Sequence, residues 1–240
     1  MRSASKTRLR KSGRRVAKRA GTEIEVKLRI ADQRQFLRQL KRLKAKLTRP
    51  RVHEMNTLYD TPEAQLARKG QMLRIRVERT AARAESALTK RKMAGEKSEI
   101  SALLTFKEPV TRAKANEPGR YKVREEHEVR ISDHEEMPKI LQALGLRPSF
   151  RYEKFRSTFM LPGMTHLKLT IDETPIGVFV ELEGERREID RAARMLGFTR
   201  SDYINKSYGE LLAEERGLAV RKSRGESNPF SGLGDMLFAS

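Results

Sequence analysis

The sequence predicts an α+β fold: an eight-stranded antiparallel β-sheet closed into a barrel, with helices packed outside it. Three observations lead there. Eight segments alternate apolar and charged residues at period two, as strands with one buried face do. Five stretches between them read as helices, from apolar residues at helical spacing or from end signals. Most strands follow one another as hairpins or through one helix, which suits an antiparallel sheet.

"TEIEVKLRI" (22–30) is the first strand, with Ile24, Val26, Leu28 and Ile30 on one face and Glu23, Glu25, Lys27 and Arg29 on the other. Asp32 caps a helix bearing Phe36, Leu40, Leu43 and Leu47, ended by Pro50. A second strand covers 51–59. In the following "TPEAQLARKG", Pro62 suits a first helical position and Gly70 a terminator. "MLRIRVE" (72–78) is the third strand, with Arg74 and Arg76 on one face. Strands at 99–107 and 120–131 follow. Asp133 then caps a helix with Met137, Ile140, Leu141 and Leu144, closed by Gly145. Strands at 152–159, 165–171 and 177–185 precede two closing helices, 187–196 and 202–215. The last has Ser201 as its cap and Ile204, Tyr208, Leu211 and Leu212 as its apolar stripe.

No internal repeat or boundary divides residues 21–215, which are expected to form one domain. The flanks read differently. Residues 1–20 hold nine Lys/Arg and no acid, a basic arm too poor in apolar residues to fold alone. The stretch 80–98 lacks periodicity and reads as a mobile basic insertion. Residues 216–240 form a C-terminal tail. The net charge of +20 is therefore concentrated largely outside the body of the fold.

Several chemistries are excluded. With no Cys, the chain has no disulfide framework, thiolate metal site or Cys nucleophile. No G-x-S-x-G supports a serine hydrolase. None of the four His residues makes a convincing catalytic group, and His127 faces away from Glu126 and Glu128 on its strand. No apolar run is long enough to span a bilayer, so no membrane partner and a cytoplasmic location are expected.

The charged faces carry the signal. Away from strand ends they hold seven acids (Glu23, Glu25, Glu126, Glu128, Asp172, Glu181, Glu183) and seven bases (Lys27, Arg74, Arg76, Lys107, Arg124, Lys154, Arg156). A single strand of this kind is ordinarily a solvated face. Over seven strands, charges in blocks of like sign need opposite partners. Grouped carboxylates suit a hard divalent cation such as Mg²⁺, and Arg and Lys suit phosphate oxygens. Barrel strands send alternate residues inward, so the period predicts a polar tunnel holding a metal–polyphosphate chelate.

The ordered motifs resemble the CYTH family, the triphosphate tunnel metalloenzymes. They are E-x-E-x-K (Glu23, Glu25, Lys27), "LYDTPEAQLARKGQMLRIR" ending in Arg74 and Arg76, "TFK" with Lys107, and R-x-E-x-E (Arg124, Glu126, Glu128). Lys154 with Arg156, "TIDETPIG", "FVELEG" and "YINKSYGELL" follow. The resemblance covers about residues 21–213. It implies an eight-stranded triphosphate tunnel and chemistry on triphosphates that depends on Mg²⁺ or Mn²⁺. It also implies roles. Glu23, Glu25, Asp172, Glu181 and Glu183 would hold metal, and Lys27, Arg74, Arg76, Lys107, Arg124, Lys154 and Arg156 would hold the phosphate chain. Glu23, Glu25, Lys27, Glu126 and Glu128 would form the catalytic set. The expected activity is hydrolysis of a triphosphate: tripolyphosphate, thiamine triphosphate or a nucleoside triphosphate. A class IV adenylyl cyclase making cyclic AMP from ATP in the same tunnel is the alternative. A non-catalytic binder of polyphosphate or nucleic acid, acting through the basic arm, is a third reading. A monomer or homodimer is expected.

Overall fold

The strands are β1 (Gly21–Ile30), β2 (Lys46–Asp60), β3 (Met72–Thr80), β4 (Ile100–Pro109), β5 (Lys122–Ile131), β6 (Arg147–Met160), β7 (Lys168–Thr174) and β8 (Gly177–Glu183). They lie in the ring order β1-β5-β4-β3-β2-β6-β7-β8, and β8 pairs back with β1, so the sheet closes. Every pairing is antiparallel. The predicted closed eight-stranded barrel is therefore present. The computed structural model describes residues 21–80, 99–110 and 120–215. The expectations for the arm 1–20, for 81–98 of the insertion and for the tail 216–240 lie outside the described residues.

Five α-helices are described: α1 (Gln33–Arg42), α2 (Gln65–Arg68), α3 (Glu136–Ala143), α4 (Arg186–Met195) and α5 (Tyr208–Glu215). The main core lies outside one wall of the barrel. Val26, Leu28, Leu169, Ile171, Val180 and Leu182, the outward residues of β1, β7 and β8, pack with Phe36 and Leu40 of α1 and Ile189, Ala192 and Ala193 of α4. Each large aliphatic side chain buried there contributes about 1.5–3 kcal/mol. A second cluster sets Leu141 and Met137 of α3 against Tyr59 and Ile75. On β1, β7 and β8 the apolar half of the alternation is thus covered, which leaves the charged half to face inward.

Three helix predictions need correction. The first helix ends at Arg42, and Leu47, expected on its stripe, is 55% exposed in β2. The chain stops at a left-handed Lys44 (φ 56°), with Lys44 N–H bonded to Lys41 O and Ala45 N–H to Leu40 O. That is the Schellman arrangement usually built on glycine. The same turn ends α3 and α4 at Gly145 and Gly197, where sequence marks it; a lysine gives no such mark. Pro50 then lies within β2, where the β2–β6 register shifts on either side of Arg49.

The expected helix over 202–215 starts late. Thr199 and Asp202 cap a short 3-10 turn at Arg200–Asp202. Ile204 is extended and exchanges backbone hydrogen bonds with Lys27 at 3.0 and 2.9 Å. The cap of α5 is Ser207, not Ser201: Ser207 N–H donates to Glu210 Oε2 at 2.7 Å, and Glu210 N–H donates back to Ser207 Oγ at 3.2 Å. Tyr208, Leu211 and Leu212 pack on Phe150, Tyr152 and Phe179, placing α5 against the inner side of the barrel. Pro62 lies in a turn before α2, not at its first position.

Candidate active site

The inward residues enclose a cavity of about 190 Å³, and its wall holds nine Lys/Arg and six Glu among nineteen residues. Thirteen of the fourteen predicted charged residues line it: Glu23, Glu25, Lys27, Arg74, Arg76, Lys107, Arg124, Glu126, Glu128, Lys154, Arg156, Glu181 and Glu183. The fourteenth, Asp172, is fully buried behind the wall. There it accepts from Lys154 Nζ at 2.7 Å, Arg156 Nε at 2.6 Å and Nη2 at 2.5 Å, and Tyr208 Oη at 2.7 Å.

Charge is not spread evenly. The inner part is basic and tightly bonded. Arg156 also reaches Glu181, and Lys27 Nζ lies 2.8 Å from Glu25 Oε1 and 3.1 Å from Glu181 Oε1. Burial alone would raise the Glu181 carboxyl, but Lys27, Arg156 and Lys154 hold it well below the usual range. Arg74 and Arg76 are bonded more loosely. Arg74 donates to Tyr152 Oη and Thr105 Oγ1 at 3.5 Å each, its Nε has no hydrogen bond, and Arg76 Nε reaches Asn56 Oδ1 at 3.3 Å. Both guanidiniums retain N–H donors for an incoming anion.

The other part crowds carboxylates. Burial raises the Glu23 pKa, and repulsion from Glu25, Glu126 and Glu183 raises it further against the pull of Lys107. Each of these acids leans on a lysine in part. Lys107 contacts Glu23 and stands 3.7 Å from Glu126, and Lys168 lies 2.9 Å from Glu183.

Local sequence explains how these walls are held. In "LYDTP", the buried Asp60 accepts from the backbone N–H of Thr61, Leu66 and Ala67 at 2.8–2.9 Å, which fixes the β2–β3 connection ahead of Arg74. Gly184 ends β8 after Glu183. A Cβ there would stand 2.2 Å from the His166 carbonyl oxygen, so only glycine fits.

Sequence reasoning passed over several wall residues. Glu54, Asn56 and Glu78 point inward from β2 and β3 and are buried. Lys122, Lys168, Tyr152 and Tyr208 line the cavity. The period-two rule applied from Arg74 back across the β2–β3 pairing would have found Glu54 and Asn56, which sit opposite Glu78 and Arg76.

The family model of the CYTH domain matches residues 21–224. The chain belongs to the CYTH family. Solved structures agree on the architecture. A candidate adenylate cyclase of Vibrio parahaemolyticus aligns with a TM-score of 0.62 at 20% identity, over 81% of this chain and 99% of its own. A protein of Pyrococcus horikoshii gives 0.60 at 23%, over 81% and 99%. A candidate adenylyl cyclase of Hippeastrum, with a dominant triphosphatase activity, gives 0.50 at 19%, over 81% and 96%. At these identities the likeness bears on fold. No curated protein matches the chain. No helix among the described residues is long and apolar enough to cross a membrane.

CYTH enzymes are triphosphatases and adenylyl cyclases and are generally dependent on divalent metal. This CYTH barrel fits such an ion in donor type: the crowded end groups hard carboxylate oxygens of Glu23, Glu25, Glu126 and Glu183, and burial, with repulsion among them, raises the Glu23 pKa. Among the described residues no three His, Cys, Asp or Glu stand together at ligating geometry. Glu23, Glu25 and Glu183, which would hold an ion there, are each engaged by a lysine: Lys107, Lys27 and Lys168. Glu181 and Asp172, predicted in the same metal set, lie instead among Lys27, Lys154 and Arg156.

Proposed function

We propose that this CYTH barrel hydrolyses a compact triphosphate, with inorganic tripolyphosphate the best fit. The observation that carries this reading is the cavity itself: about 190 Å³, with a wall of nine cations and six carboxylates. Pockets for larger organic ligands run to about 300–1,000 Å³ and are mainly apolar. The aromatic side chains within the barrel are already packed. Phe150 stacks on Tyr152 at 5.7 Å, and Tyr208 sits edge-on to Phe179 at 5.6 Å. That leaves the charged chain, not a base, as the recognised group.

Phosphoryl transfer depends mainly on positioning and on charge stabilisation. Arg74 and Arg76 have N–H donors to offer the non-bridging oxygens, while Lys154 and Arg156, fixed by Asp172, supply a rigid positive floor. Glu23, Glu25, Glu126 and Glu183 form the acidic end, where Mg²⁺ or Mn²⁺ would neutralise phosphate charge and lower the pKa of water. Glu128, bonded to Thr105 Oγ1 at 3.1 Å, orients one partner of Arg74. The test is release of phosphate and of cyclic AMP from tripolyphosphate, thiamine triphosphate and ATP, each with Mg²⁺ or Mn²⁺. Metal-dependent phosphate release, greatest from tripolyphosphate, is expected. Cyclic AMP as the main product would overturn the reading.

A further inference from the structure

Glu54 is fully buried at the middle of β2, with Lys154 opposite it on β6. Buried carboxylates ordinarily accept hydrogen bonds; neither oxygen of Glu54 does. Instead three cations form ion pairs with it just beyond hydrogen-bonding distance: Lys154 Nζ at 3.6 Å, Arg76 Nε at 3.7 Å and Arg156 Nε at 3.8 Å. Burial would push its carboxyl up, but Arg76, Arg156, Lys154 and Arg74 together hold it well below the usual carboxylate range, so it is ionised. Asp172 contrasts with it, occupying the donors of Lys154 and Arg156 directly.

A negative charge at that distance compensates the cations without consuming their N–H groups. Without it, Arg74 and Arg76 would face Lys154 and Arg156 with less screening and would spread apart. We propose that Glu54 is a positioning residue, an internal counter-ion that keeps the guanidiniums of Arg74 and Arg76 spaced and their donors available for a bound phosphate chain. The same charge opposes the anion it helps to orient. Its presence therefore weakens binding while improving the geometry for turnover. This rests on the cavity accepting a polyphosphate.

The test is metal-free binding of tripolyphosphate by calorimetry, with steady-state kinetics in parallel. Glu54→Gln keeps the shape and removes the charge. It is expected to bind tripolyphosphate about tenfold more tightly than wild type, the scale for losing one nearby opposing charge, while kcat and KM both fall. Glu54→Asp, which keeps the charge, is expected to stay within about threefold of wild-type affinity. If Glu54→Gln is unfolded alone, millimolar tripolyphosphate should restore its fold by supplying the missing negative charge. Unchanged or weaker binding by folded Glu54→Gln, an undiminished kcat, tightening by Glu54→Asp as well, or failure of the anion to rescue an unfolded variant each overturns the proposal. Wild-type protein that does not bind tripolyphosphate would overturn the reading of the cavity, and this proposal with it. Wild-type binding with an unaltered variant overturns this proposal alone.

Discussion

Tyr208, the first residue of α5, donates its hydroxyl to Asp172 of β7 at 2.7 Å inside the barrel. The same carboxylate holds Lys154 and Arg156, so one buried acid ties three elements together. Removing one member of a buried ionic group costs about 3–5 kcal/mol, because its partners remain buried and uncompensated. Asp172→Asn is therefore expected to lower unfolding stability by that order, read from the denaturant midpoint. Tyr208→Phe, which loses one hydrogen bond and no charge, is expected to cost about 1 kcal/mol.

Arg74 makes only two long side-chain hydrogen bonds, to Tyr152 and Thr105. Its truncation removes a buried cation near Glu54 but no short hydrogen bond, and is expected to cost less stability than Asp172→Asn. Arg74→Ala is expected to reduce turnover of tripolyphosphate about 10²–10³-fold, the scale for a donor aimed at developing charge. A circular-dichroism melt beside the kinetics separates the two effects, and a folded variant with near-full turnover would remove Arg74 from the site.

Lys122 supplies a pH prediction. Burial, then repulsion from Lys27 and Arg124, lowers its ammonium to about 8, against the pull of Glu25 and Glu210. An unfolded chain holds that proton to about 10.5. Between those values the unfolded state binds more protons, so this residue's contribution to stability rises with pH. Anion binding moves the other way, since the cavity loses a positive charge. Metal-free affinity for tripolyphosphate is expected to decline above about pH 8 in wild type. In Lys122→Met that alkaline decline should be reduced.

At the carboxylate-crowded end, the raised Glu23 pKa means that this group takes up a proton at higher pH than an ordinary glutamate. Protonation competes with cation binding. The metal concentration for half-maximal activity should therefore rise on acidification, and Glu23→Gln should raise it at all pH values. Chelation should abolish turnover. Activity that survives chelation would separate this barrel from metal-assisted hydrolysis.

Much of this arrangement was legible in the sequence, because in β1 each face is chemically pure: Val26 and Leu28 outward, Glu25 and Lys27 inward. The same contrast placed Arg74, Arg76, Glu181 and Glu183. It failed on β2. There Arg51 and His53 lie on the outer side, flanking Phe155 with the guanidinium 3.5 Å from the ring and the imidazole stacked at 4.9 Å. With polar groups on both faces, alternation no longer told Glu54 and Asn56 from their neighbours. Tyr208 was read as part of an apolar stripe, which its ring satisfies through Phe179, while its hydroxyl serves Asp172. The end of α1 was missed because Lys44 adopts a conformation that only glycine advertises.

The two-sided use of β1 also limits how such a protein can evolve. Loss of the Leu28 codon would bring Lys27 into the apolar layer beneath α1 and α4 and Ile24 into Glu25's inward place. In staves with pure faces, such as β1, length variation is thus expected in the connections and not within the strand; β2, with its register shifts around Arg49, is the stave with room for it. Descendants of this chain are expected to diverge first in their turns, with the pattern of alternating residues on the staves the last thing to drift.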